Sequence, residues 1–231
     1  MRVNRSVALT ALISAAQASH LGLCAAAGRL SEIGWMKVPE RSTLDSLLAN
    51  VRACTACNDV LPMGARPVVQ LSSTVRVLIA SQAPGTKVHE SGIPFADFSG
   101  DRLREWTGLS SDQFYDASTT AIVPMGFCYP GRLSSGGDAP PRPECAPLWR
   151  ARLLDQMPAL RLTLLVGTYA QAHVLGPGKM TARVTNFREY LPTYFLLPHP
   201  SWRSVYWATR NPWFEAEVLP ALRAAVREAL A

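Results

Sequence analysis

Apolar positions along the chain fall into short blocks separated by turn residues. Leu44, Leu47, Leu48 and Val51 recur at helical spacing behind Ser42-Thr43-Leu44-Asp45, which predicts a helix opened by a capping hydroxyl. A loop carrying Pro62, Gly64 and Pro67 is expected from Cys54 to Gln70. Val75 to Ala80 reads as the first strand, stopped at Pro84-Gly85, and Ser99 to Gly108 as a helix with Asp101 in its first turn. Thr119 to Pro124 is the second predicted strand, Tyr129 to Pro143 a Gly/Pro-rich loop, and Glu144 to Met157 a helix. Leu162 to Val166 is the third strand, ended by Gly167 and followed by a helix. Tyr194 to Leu197 is the fourth, and Phe214 to Leu230 is the closing helix. Short, continuously apolar strands alternating with helices imply an α/β fold: a central four-stranded parallel sheet flanked by helices on both faces. In such sheets, ligands bind where loops leave the carboxyl ends of the strands.

Composition narrows the class. At 231 residues, with 48% hydrophobic and 17% charged residues, the chain is neither disordered nor a coiled coil. No run approaches the ~20 apolar residues that span a bilayer, so no membrane partner is expected. Eighteen prolines argue for many fixed loops rather than a helical bundle. The net charge of +6 suits a polyanion such as nucleic acid. The length fits one domain, taken as residues 43–231, behind an extension of residues 1–42. In that extension, Arg2 and Arg5 precede an apolar stretch and Ala16-Gln17-Ala18, the grammar of a secretory signal. The reading preferred is translation from an early start codon, with Met36 as the natural start, no role for Cys24, and a cytoplasmic monomer.

Two chemical signatures sit in the loops. Cys54 and Cys57 form a CxxC pair, and Cys128 and Cys145 follow in distant loops, all beside turn residues. Converging thiolates suit either zinc or an iron–sulfur cluster, which spacing alone does not separate; the alternative is a scatter of thiols packed like small hydrophobes, behind the metal reading because all four lie beside turn residues. The second signature is a pair of strand-end loops: Ser81-Gln82-Ala83-Pro84-Gly85 with Gly92-Ile93-Pro94-Phe95 after the first strand, and His199-Pro200-Ser201 after the fourth. A histidine between two prolines is held close to its strand end.

In these residues the chain resembles the uracil-DNA glycosylase superfamily, and within it the bacterial and archaeal branch that carries an iron–sulfur cluster. The family's G-E-A-P-G and G-x-P-F motifs fall in register on Ser81 to Gly85 and Gly92 to Phe95, and its HPS motif on His199 to Ser201. Its CxxC, its K-C-x-P-P loop and its later helical cysteine match Cys54, Cys57, Cys128 and Cys145. The resemblance covers about Leu44 to Leu230. It implies a 4Fe-4S cluster on those four cysteines, DNA as partner, and hydrolysis of the N-glycosidic bond of uracil or other deaminated bases by a monofunctional enzyme.

The same resemblance assigns roles. A base must be flipped out of the duplex to be reached. Phe95 would stack on it, and His199 would donate to its O2 as charge develops there. Gln82, Ala83, Pro84 and Gly85 would place amides and a water beneath the sugar, and Ser201 would help bind substrate. Trp202 would act as a wedge in the duplex, or else pack in the core, and Arg203 would hold a phosphate. The chain also departs from the pattern. Pro124 stands where the best-known members carry a uracil-reading Asn, and Gln82 and Ala83 where a water-activating carboxylate is found. A broad-specificity branch takes its carboxylate from a stretch like F-T-G-D-x-S-G-D; Phe95 to Asp101 is similar but one residue shorter. Asp97 is thus the expected catalytic carboxylate and Asp101 the reserve. A catalytically inactive relative that binds damaged or single-stranded DNA is the alternative.

Overall fold

Burial on both faces is what the continuously apolar strands require, and the structure supplies it. A computed structural model describes residues 43–231; the proposed signal, Cys24 and Met36 lie outside the described residues. Strands β1 (Val77–Ala80), β2 (Thr120–Ile122), β3 (Leu162–Val166) and β4 (Tyr194–Leu197) form one sheet in the order β2-β1-β3-β4. All three pairings are parallel, with Val77 opposite both Thr120 and Leu162, and Val166 opposite Leu197. The predicted four-stranded parallel α/β architecture is therefore present, and all four carboxyl ends point to one edge.

Side chains alternate across the sheet into two cores. Val77 and Ile79 of β1 join one apolar cluster, which α3 (Phe98–Thr107) and α9 (Leu219–Leu230) cover. Leu78 joins the other, covered by α1 (Leu44–Arg52) and by Leu153 of α5 (Ala151–Leu154). The α1 helix starts as its sequence predicts: the Thr43 hydroxyl accepts from the Ser46 amide at 3.3 Å, and Leu47, Leu48 and Val51 face inward.

Several elements differ from expectation. Short helices α2 (Thr86–Ser91), α4 (Ser111–Tyr115), α7 (Met180–Thr185) and α8 (Trp202–Thr209) occupy stretches read as loop or left unassigned. Each is under three turns, too brief for apolar periodicity to declare itself. The helix α6 (Thr168–Leu175) follows Gly167 as expected. The helix expected from Glu144 opens as a π-wound turn, Ala146–Arg150, and the closing helix does likewise at Phe214–Val218. Pro147 and Pro220 lie in or beside these turns, where a missing N–H disturbs regular α bonding.

Candidate active site and thiol site

The loops after β1, β2 and β4 close over a cavity of about 70 Å3 at the carboxyl edge of the sheet. Six of the predicted residues line it together: Ala83, Pro84, Gly85, Phe95, Asp97 and His199. Pro124, following β2, forms part of the wall and presents no donor. Gln82 and Ser201 do not line it. The Gln82 amide instead donates to the Ala139 carbonyl at 2.9 Å, tying the turn after β1 to the Gly/Pro-rich loop.

His199 is fixed from several sides. Its β-carbon lies 3.3 Å from where a β-carbon on Gly167 would be, and Gly167 has φ 84°, so glycine serves both the turn and the close approach. Behind it, buried Gln171 donates to the Leu197 carbonyl at 2.9 Å. In front, Arg102 from α3 donates to the Ser201 carbonyl at 2.8 Å. Burial pushes the His199 imidazole below its ordinary range, with nearby Asp97 opposing. Neutral imidazole can donate one N–H without bringing a charge.

Phe95 has φ 54°, a left-handed conformation that costs a bulky residue energy. The following helix enforces it. A β-carbon at Gly100 would fall 1.8 Å from the Phe95 carbonyl oxygen, so only glycine lets α3 begin this close. The Tyr115 hydroxyl donates to that same carbonyl at 3.3 Å, and Phe114 packs edge-on against the Phe95 ring at 6.0 Å. Gly100→Ala must displace backbone, so it should lower stability by about 1–3 kcal/mol or more. It should also move the Phe95 ring, and thermal melts with ligand titrations would read both effects.

Asp97 caps α3: one carboxylate oxygen, Oδ1, accepts from the Gly100 amide at 3.1 Å. The other, Oδ2, faces the cavity 3.8 Å from the place of a Gly85 β-carbon. Asp101 is exposed and pairs with Arg104 one turn on, outside the cavity lining. It thus sits as an ordinary first-turn acid. Asp138, from the loop Tyr129 to Pro143, also lines the cavity, and sequence reasoning missed it. Burial raises its pKa and Asp97 adds to this, while Arg132 opposes. An acid following two glycines was visible in the sequence, but nothing local said that its loop folds over the β1 turn.

Trp202 and Arg203 form the first turn of α8. Trp202 is 69% exposed, which rules out the packed-core reading. Val205 and Tyr206 continue an exposed apolar face on the same helix, and the Arg203 guanidinium lies 5.3 Å from the Trp202 ring centre.

Cys54, Cys57, Cys128 and Cys145 line a second, smaller cavity together. All are free thiols. Among the described residues, no group of three or more His, Cys, Asp or Glu side chains is arranged to hold a single metal ion. The Phe127 amide donates to the Cys145 sulfur at 3.3 Å, and the Arg66 amide donates to Cys128. Burial pushes the Cys145 thiol up to about 12 and raises Cys128 as well. The two cavities share walls: Val68 lines the first and Pro67 the second, and the segment from Pro124 to Cys128 serves both.

Among known families, the uracil DNA glycosylase superfamily matches residues 69–223, and the chain belongs to that superfamily. The match spans all four strands, the Pro124 wall and the HPS loop.

Proposed function

We propose that this superfamily member is a monofunctional DNA glycosylase that hydrolyses the N-glycosidic bond of uracil, and of other deaminated bases, in DNA. One observation carries the reading: Phe95, His199 and Asp97 line the same cavity at the carboxyl edge of the sheet. The ring offers a stacking platform, the imidazole a donor for the charge that grows on the leaving base, and the carboxylate a counter-charge for the electron-poor sugar. Pro124 supplies no amide to read the base edge, which supports a broader base range than uracil alone. The experiment is incubation with labelled oligonucleotides carrying uracil, hypoxanthine or xanthine, followed by alkaline cleavage at abasic sites. Cleavage at uracil supports the enzyme. DNA binding without cleavage favours the inactive, damage-binding relative, the reading that Pro124 and the carboxylate-free motif support.

On this reading Trp202 and Arg203 meet the duplex, Trp202 filling the space the flipped base leaves. Because Trp202 is exposed, Trp202→Ala should leave thermal stability unchanged. It should weaken DNA binding by about 1–3 kcal/mol, the usual worth of one base–aromatic stack. Equal affinity for both proteins in a fluorescence-anisotropy titration would remove the wedge.

We further propose a structural 4Fe-4S cluster on Cys54, Cys57, Cys128 and Cys145. Four thiols lining one cavity match the four thiolate ligands of such a cluster, and two amide N–H···S bonds are of the kind that stabilise cluster sulfurs. Bound iron would supply the positive charge that deprotonates the buried thiols. The enzyme is taken to act as a cytoplasmic monomer.

A further inference from the structure

The space over Gly85 is flanked by two carboxylates that come from separate parts of the chain. A β-carbon on Gly85 would lie 3.6 Å from Oδ2 of Asp138 and 3.8 Å from Oδ2 of Asp97. Because residue 85 is glycine, that space stays open to the cavity.

The two acids are held differently. Asp97 has one oxygen committed to capping α3, so it is fixed in place and has a single free oxygen toward the cavity. Asp138 takes part in none of the ion pairs among the described residues. Its loop is nonetheless fastened. Residues 132 and 138 are bridged antiparallel, the Ala139 amide donates to the Gly131 carbonyl at 2.8 Å, and the Ala139 carbonyl accepts from Gln82. Gln82 thereby ties the loop that carries Asp138 to the turn after β1.

Depth assigns the role. Phe95 and Pro124 are buried at the inner end of the cavity, whereas Asp138 is exposed on its outer side. Its neighbour Gly137 abuts the Arg203 guanidinium, with 3.1 Å between the guanidinium and the site of a β-carbon. A flipped nucleotide places its base innermost, its phosphates outermost and its sugar between them. Asp138 lies beside Gly85 and Asp97 on one side and follows Gly137, which meets Arg203, on the other, so it stands between the buried end and the outer face, where the sugar would sit.

We propose that Asp138 is the catalytic base of the glycosylase, holding the attacking water over Gly85 jointly with Asp97. The inference rests on the glycosylase reading above. The C1′–N1 bond breaks with its electron pair leaving on the base, whose O2 accepts a hydrogen bond from His199. The water oxygen bonds to C1′, and its proton passes to the Asp138 carboxylate. The base anion later takes a proton from solvent, so charge and atoms balance.

The charged and titratable groups around Asp138 are Arg132 across the bridge, Asp97 at the start of α3, His199 in the cavity and Arg203 on α8. Although part of its side chain meets solvent, partial desolvation at the cavity mouth and the nearby Asp97 hold its proton affinity above that of a free carboxyl group, with Arg132 opposing. Activity that needs its ionised form should therefore fall, on the acid side, at a pH above 3.8.

The test is single-turnover excision from uracil-containing DNA across pH, for the unmodified protein, Asp138→Asn and Asp138→Ala, with DNA affinity measured in parallel. General-base loss typically costs on the order of 100- to 10,000-fold. Asp138→Asn should lose at least 100-fold in rate, keep its DNA affinity, and lose the acid limb of the pH profile. Added formate should restore part of the Asp138→Ala rate, which a purely structural role would not allow. If the unmodified protein excises uracil and Asp138→Asn does so at the same rate with the same profile, the base assignment is overturned and the glycosylase stands. If the unmodified protein excises no base, both fall.

Discussion

His199→Ala should slow single-turnover uracil excision by about 100- to 1,000-fold, the usual cost of one preorganised donor to developing negative charge. DNA affinity should barely change, because the imidazole sits within the cavity rather than on the Trp202 face. The pH dependence adds a second handle. A histidine whose pKa is lowered by burial keeps its neutral form as pH falls through 6.5 and gains a proton only below that. The ratio of unmodified to His199→Ala rates should therefore show no step at 6.5. A step there would mean that the imidazole titrates like an exposed one. Asp97→Asn should also cost on the order of 100-fold, and it separates charge from structure. Asn caps helices about as well as Asp, so α3 should remain intact while the negative charge beside the sugar is lost. Excision at the unmodified rate by both variants would remove this catalytic assignment.

Much of this site was legible in sequence, for physical reasons that differ by element. Four short apolar runs bounded by turn residues favour buried strands, and β3 and β4 came out with the bounds read from the pattern. His199 and the Ala83 to Gly85 turn were legible because proline fixes the backbone, glycine permits tight turns, and their motifs match those of the superfamily. The cysteines were legible by type and turn context, and they line one cavity. What escaped depends on tertiary placement. Asp138 is 41 residues from Asp97 by sequence number, and only the Gln82–Ala139 bond and the Gly131 hairpin bring its loop over Gly85. Gln82, expected in the chemistry, turns its amide to that loop. Trp202 is ambiguous as a residue type, and its exposure is decided by α8, a helix that the sequence reading left unassigned. The positive φ of Phe95 is likewise hidden until Gly100 is seen pressing on its carbonyl.

Cys54→Ser should cost the protein its solubility before it costs the chemistry. On the cluster reading, the purified unmodified protein is brown and carries about four iron atoms per chain. Its four ligands come from the loop that follows α1, the loop after β2 and the residue that precedes the π-wound turn leading into α5. Holding them closes two long loops at once. Structural metal sites contribute on the order of 10 kcal/mol to folding. A whole domain is net stable by only about 5–15 kcal/mol, so losing one ligand can remove most of the margin. The effect should also reach the active site through the shared wall. Cys128 is bonded by the Arg66 amide, Val68 donates to the Phe127 carbonyl at 2.7 Å, and Val68 and Pro124 line the catalytic cavity. Whatever Cys54→Ser protein remains soluble should therefore melt much earlier, contain little iron, and bind a base analogue less well. Metal analysis decides the matter independently of activity. One zinc and no iron in the unmodified protein would exclude the cluster. A colourless, metal-free protein with the same melting temperature as Cys54→Ser would leave the four thiols as ordinary packed side chains.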